Sequence, residues 1–170
     1  MIFLASELMF FASLFAAYFN LRSSTVVWPP INIHLDMLSS SIGTLFLFVS
    51  SMALLLMTRA LDRRRSRAAH AWLAVGILAG IAFVGIALHG YTQNTFSIAS
   101  NAYGSLYYAM TGFHLLHVVA GIILLAGLFF GLRSRAMTAN RRSGAQAISY
   151  YWHFVFIVWV GLYSAIYLIR

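Results

Sequence analysis

The sequence predicts an all-α protein: a polytopic bundle of five transmembrane helices, with the N-terminus cytoplasmic and the C-terminus outside. Three observations predict it. Of the 170 residues, 62% are hydrophobic and only 8% charged, where soluble domains carry about 25% charged residues. The apolar residues fall into five runs, each near the ~20 residues that cross a hydrocarbon core. The arginines between those runs alternate in number, dense in two loops and sparse in the others.

The first run, residues 2–21, has Glu7 as its one ionisable residue before Tyr18 and ends before a loop broken by Pro29 and Pro30. The second, 38–57, follows His34 and Asp36; the acid stands near a helix N-terminus, where negative charge is favoured. The third, 71–90, opens on His70 and Trp72 as interface anchors. The fourth is 107–131 and the fifth 148–169. Gly76 and Gly80 in the third run, and Gly127 and Gly131 in the fourth, have the GxxxG spacing that lets helices approach closely in lipid; both pairs are read as packing positions. No short repeat and no long linker divides the chain, so residues 1–170 are read as one domain.

Nine arginines lie on one side: Arg59, Arg63, Arg64, Arg65 and Arg67 after the second run, and Arg133, Arg135, Arg141 and Arg142 after the fourth. Only Arg22 and Arg170 lie on the other. By the positive-inside rule, the rich side is cytoplasmic. The net charge of +8 would suggest a nucleic-acid partner in a soluble protein. Confined to loops, it is instead a topology signal, and no nucleic acid is expected. Arg63, Arg64, Arg65 and Arg67 are candidate contacts for anionic lipid head groups. The chain has no cysteine, which excludes disulfides, thiolate metal sites and cysteine nucleophiles. The first run is long enough to span and lacks a basic n-region before it, so it is not read as a secretory signal.

A few residues could carry chemistry. His114 and His117, three apart, lie about 60° from each other on one helix face. An unpartnered polar group in lipid costs several kcal/mol, so that face should meet protein. Glu7 admits two readings: a functional or partnered intramembrane acid, or a carboxylate solvated near the cytoplasmic end. His114 and His117 could ligate a metal or haem with further ligands in register, for which the chain supplies His153 and His89, but the sequence does not establish that register. The reading preferred is a polar intramembrane network of Glu7, His114, His117 and His153 with nearby tyrosines. No catalytic residue and no metal site is assigned.

Taken together, SELMFFASLFAAYF in the first run, WPP after it, AYGSLYYAMTGFHLLHVVAG around the fourth and SYYWHFVFIVWVGLYSAIYLIR at the end resemble cytochrome c oxidase subunit III, in order and over nearly the whole chain. The likeness is to the short five-helix bacterial form. It implies a noncatalytic subunit of a haem–copper terminal oxidase in the bacterial plasma membrane. Such a subunit has no redox centre of its own, packs against subunit I in a complex with subunit II, holds phospholipid, and supports proton uptake and durable turnover. Haem and copper are expected in the partner subunits. Glu7 matches the family's buried carboxylate; His114, His117 and His153 match its FHxxH and WHF histidines. Phe156 stands where the family commonly has an acid, Leu115 replaces a glycine, and Ile86 and His89 occupy a region that often carries Gln and Glu. These departures leave room for a subunit of a quinol oxidase or nitric oxide reductase. An independent transporter is the reading from another class, against which stand few polar residues in the spans and no pair of broken helices.

Overall fold

A computed structural model describes residues 2–25, 28, 36–94, 96–132 and 139–169. Five α-helices follow one another: α1 (Ile2–Ser23), α2 (Met37–Asp62), α3 (Ser66–Gln93), α4 (Ala102–Gly131) and α5 (Ala139–Tyr163), the last continuing into a π-helical turn, Ser164–Leu168. All five are long and apolar enough to cross a membrane, and the described residues contain no strand. Pro29, Pro30, His34, Arg133, Arg135 and Arg170, and the side chain of Arg141, lie outside the described residues.

Local chemistry starts and stops the helices. Asp36 caps α2, accepting from the backbone N–H groups of Leu38 and Ser39 at 3.0 and 3.2 Å. The Ser39 hydroxyl also donates to this carboxylate and, with those N–H groups, holds it below the usual carboxylate range. Asn101 caps α4 by accepting from the Gly104 N–H at 2.7 Å. The α2–α3 turn is tight enough to force Arg64 to a φ of 55°, a region L-residues enter at a cost.

The helices run alternately up and down. α2, α3, α4 and α5 each touch the next and α5 returns to α2, so the four close a bundle; α1 lies outside it against α4 and α5. Cross-links at the ends fix the register. Arg142 at the start of α5 donates to the Leu61 carbonyl at the end of α2 (3.0 Å). At the opposite end, Arg22 of α1 donates to the Ile169 carbonyl, and Ser41 of α2 meets the Tyr163 hydroxyl at 2.7 Å. Arg59, Arg63, Arg64, Arg65, Arg67 and Arg142 therefore share one end of the bundle.

Trp152 of α5, 1% exposed, is the largest fully buried side chain. It lies between α3 and α4: a Cβ added at Gly80 would come within 3.0 Å of its ring, and one at Gly121 within 2.7 Å. A Cβ at Gly76 would come closer still to a neighbour, 2.4 Å from the Leu54 Cδ1 atom. The packing expectation thus describes Gly76 and Gly80. It fails within this chain for Gly127 and Gly131, which are exposed and where a Cβ would meet nothing within 4 Å. Sequence spacing cannot tell which face of a helix meets a neighbour, and on α4 it is the face of Gly121 that does.

Candidate intramembrane site

Glu7 and His117 meet between α1 and α4. The Glu7 Oε2 atom lies 2.8 Å from His117 Nε2. His117 Nδ1 lies 2.7 Å from the Phe113 carbonyl oxygen one turn back. A carbonyl only accepts, so Nδ1 carries a hydrogen and donates. The short contact at Nε2 then needs one further proton, held either on Nε2 as an ion pair or on the carboxyl as a neutral pair. The arrangement stores a single proton between two groups that can each take it. Tyr151 of α5 donates from its hydroxyl to the His117 carbonyl at 3.0 Å, which ties the third helix to this point. The His117 and Glu7 side chains remain 18% and 21% exposed.

Depth decides how Glu7 is to be read. His117 is at the middle of α4, roughly 21 Å along the helix from its arginine-rich end at 1.5 Å per residue. Glu7 is level with it. Although near the start of the sequence, Glu7 sits at mid-depth of the bundle and not at its arginine-rich surface.

The other two histidines are placed apart from this pair. His114, 1% exposed, stacks on Trp159 with ring centroids 5.1 Å apart, and its nitrogens have no hydrogen-bond partner among the described residues. Phe11 is edge-on to both rings, 6.4 Å from His114 and 5.2 Å from His117. His153 bridges α5 to α2: Nδ1 is 2.6 Å from the Ser51 hydroxyl and Nε2 is 3.3 Å from the Ser149 hydroxyl. A hydroxyl can donate or accept, so either tautomer of His153 is satisfied. One network of four was expected; the structure has one pair, one serine-bridged histidine, and one stacked imidazole. Ser51 and Ser149 escaped the sequence reading, since serines in a span are common and silent. One turn beyond His153, Phe156 packs against Phe48, ring centroids 6.0 Å apart.

The family model described as cytochrome c oxidase subunit III matches residues 1–169. The chain belongs to the cytochrome c oxidase subunit III family. Among relatives of this family, the probable cytochrome c oxidase subunit 3 of Nocardia farcinica is 38% identical over 99% of this chain and 85% of its own length. The cytochrome c oxidase subunit 3 of Thermostichus vulcanus is 31% identical over the same shares. That of Bacillus subtilis is 30% identical over 98% of this chain and 83% of its own length. Subunit III belongs to the haem–copper oxidases, so membership makes this chain a membrane-embedded member of an oxidase complex. Among the described residues, no group of three or more His, Asp or Glu side chains comes together as a metal site would require. Arg63, Arg64, Arg65 and Arg67 are all exposed at one end of the bundle, where the α2–α3 turn gathers them.

Proposed function

We propose that this chain is the noncatalytic subunit III of a bacterial plasma-membrane cytochrome c oxidase. In this reading it packs against subunit I, in a complex with subunit II, and supports subunit I stability and proton uptake during oxygen reduction. Haem and copper belong to those partners. The arginine-rich end faces the cytoplasm, as the positive-inside rule requires, and Arg63, Arg64, Arg65 and Arg67 touch phospholipid head groups there. Family membership supports the complex; the Glu7–His117 pair is the observation that supports the proton role. A carboxylate and an imidazole sharing one proton at mid-depth form a store that can release and regain it with small motions. Histidine is suited to this because its ordinary titration lies near neutral pH.

The test separates the proton from the hydrogen bond. Glu7→Gln keeps a hydrogen-bonding group of the same shape beside His117 but cannot exchange a proton through it. His117→Phe removes the imidazole and leaves the acid alone. Both are to be assayed in the assembled oxidase for proton uptake and for inactivation over many turnovers. Slower uptake or earlier inactivation in Glu7→Gln supports the proposal. Unchanged behaviour in both variants refutes it and reduces the pair to a structural contact.

A further inference from the structure

We propose that the arginine-poor end of the bundle contains a water-filled inlet that runs inward between α2, α3, α4 and α5 and ends at His114. A cavity of about 70 Å³ opens there. Its lining includes Asp36 and Ser39 at the mouth, Tyr91 and Thr111 along the wall, and His114 at the inner end. Thr111 is already engaged, accepting from the Tyr91 hydroxyl at 2.8 Å and donating to the Tyr107 carbonyl at 2.6 Å. His114 is not: its ring is 1% exposed to outside solvent, and neither nitrogen has a partner among the described residues.

An imidazole always has at least one nitrogen that must donate and, when neutral, one that must accept. Leaving either unmet in a buried site is costly, because the group loses its bonds to water and gains none. The rings around His114 offer no remedy, since Phe11, Phe83 and Trp159 meet it through their faces and edges. The Trp159 N–H is committed elsewhere, donating to Thr44 at 2.9 Å. The occupant must therefore be small and able both to donate and to accept.

Size selects water. A molecule of water takes about 30 Å³ in the liquid, and a dry apolar cavity that admits benzene measures about 150 Å³. A space of about 70 Å³ is room for several waters and is about half that of the dry cavity. Within a mostly apolar lining, Asp36, Ser39, Tyr91, Asn94 and His114 are polar groups that such waters would meet. The inlet ends at His114, and neither Glu7 nor His117 is among its lining residues. Water from this end thus comes within one helical turn of the Glu7–His117 pair without reaching it.

The experiment uses the intact oxidase complex in lipid nanodiscs. Exchange of the imidazole Cε1 hydrogen for deuterium, read by mass spectrometry, reports water at each histidine. His114 should exchange in the wild-type complex. Ala87→Leu, which fills the cavity from α3, should slow His114 by about tenfold or more and leave the exposed His89 unchanged. No exchange at His114 in the wild type, or an equal rate in Ala87→Leu, overturns the inlet. A high-resolution map of the wild-type complex gives a second reading that needs no variant. Ordered density within hydrogen-bond distance of a His114 nitrogen supports the proposal; a dry cavity, or a partner-subunit side chain on that nitrogen, overturns it.

Discussion

Trp152 sets how closely α3, α4 and α5 approach, and two glycines on the same helix measure its effect. A Cβ added at Gly121 would lie 2.7 Å from both Cε3 and Cζ3 of Trp152, and 3.3 Å from Tyr151 Cε1. Real Cβ atoms do not approach that closely, and the indole, 1% exposed and hemmed by α3, cannot swing away. Gly121→Ala must therefore push helices apart, and overpacking of this kind costs about 1–3 kcal/mol. Gly127→Ala adds the same methyl to the same helix where nothing lies within 4 Å. Replacing a helical glycine by alanine gains about 0.5–1 kcal/mol in either place. That gain cancels between the two variants, so their difference isolates the clash. Gly121→Ala should be less stable than Gly127→Ala by about 1–3 kcal/mol in reversible unfolding of the purified chain in mixed micelles. Tryptophan fluorescence and helical circular dichroism supply two probes of one transition. Stabilities within about 0.5 kcal/mol of each other would show that α3 and α4 do not close on the indole, and the register of the bundle would be wrong.

The same unfolding assay tests the His153 bridge. Ser51→Ala removes the 2.6 Å partner of Nδ1 and should cost about 1–3 kcal/mol, with a smaller loss for Ser149→Ala at 3.3 Å. Asp36 makes a prediction in pH. Its folded carboxyl titrates below the ordinary value of 3.8 because the Ser39 hydroxyl and the α2 N–H groups favour the charged form. Its stabilising contribution is thus present at neutral pH and is lost as pH falls from 3.8 through the lower folded value. Asp36→Asn keeps a capping oxygen but not the charge, and should flatten that acid limb in a stability-versus-pH series. Replacing Arg63, Arg64 and Arg65 together by Gln should reduce the phospholipid that co-purifies with the complex; undiminished phosphorus per complex would remove the lipid assignment.

All five spans were legible because hydropathy reports which residues tolerate oil, but their ends were not. α3 begins at Ser66, five residues before the apolar run, α4 at Ala102 and α5 at Ala139. These extra turns hold Arg, Ser, Asn and Tyr, which leave the oil while their backbones go on making helical hydrogen bonds. The site was legible as residue types and not as partners. His114 and His117 differ by three positions, yet one stacks on Trp159 and the other meets Glu7. The choice depends on how far α1 slides along α4, a height that no local pattern encodes. The cavity was invisible for the same reason, since it exists only where four helix ends fail to fill the space between them.

The placement of Phe11 bears on which way a proton could travel. The Glu7–His117 pair is about one-fifth exposed, whereas Phe11, whose ring meets both imidazoles, is 2% exposed. Exchange with the pair is thus favoured from its exposed side, and the packed Phe11 ring would hinder it from His114. Water at His114 and a proton at His117 can coexist as neighbours without forming a path across the membrane, which a proton-motive complex could not tolerate. Phe11→Ala removes that wall. In the assembled oxidase reconstituted into vesicles, it should make the membrane leak protons and lower respiratory control, with turnover under uncoupled conditions little changed. Wild-type respiratory control in Phe11→Ala would mean that something other than this ring separates the two imidazoles.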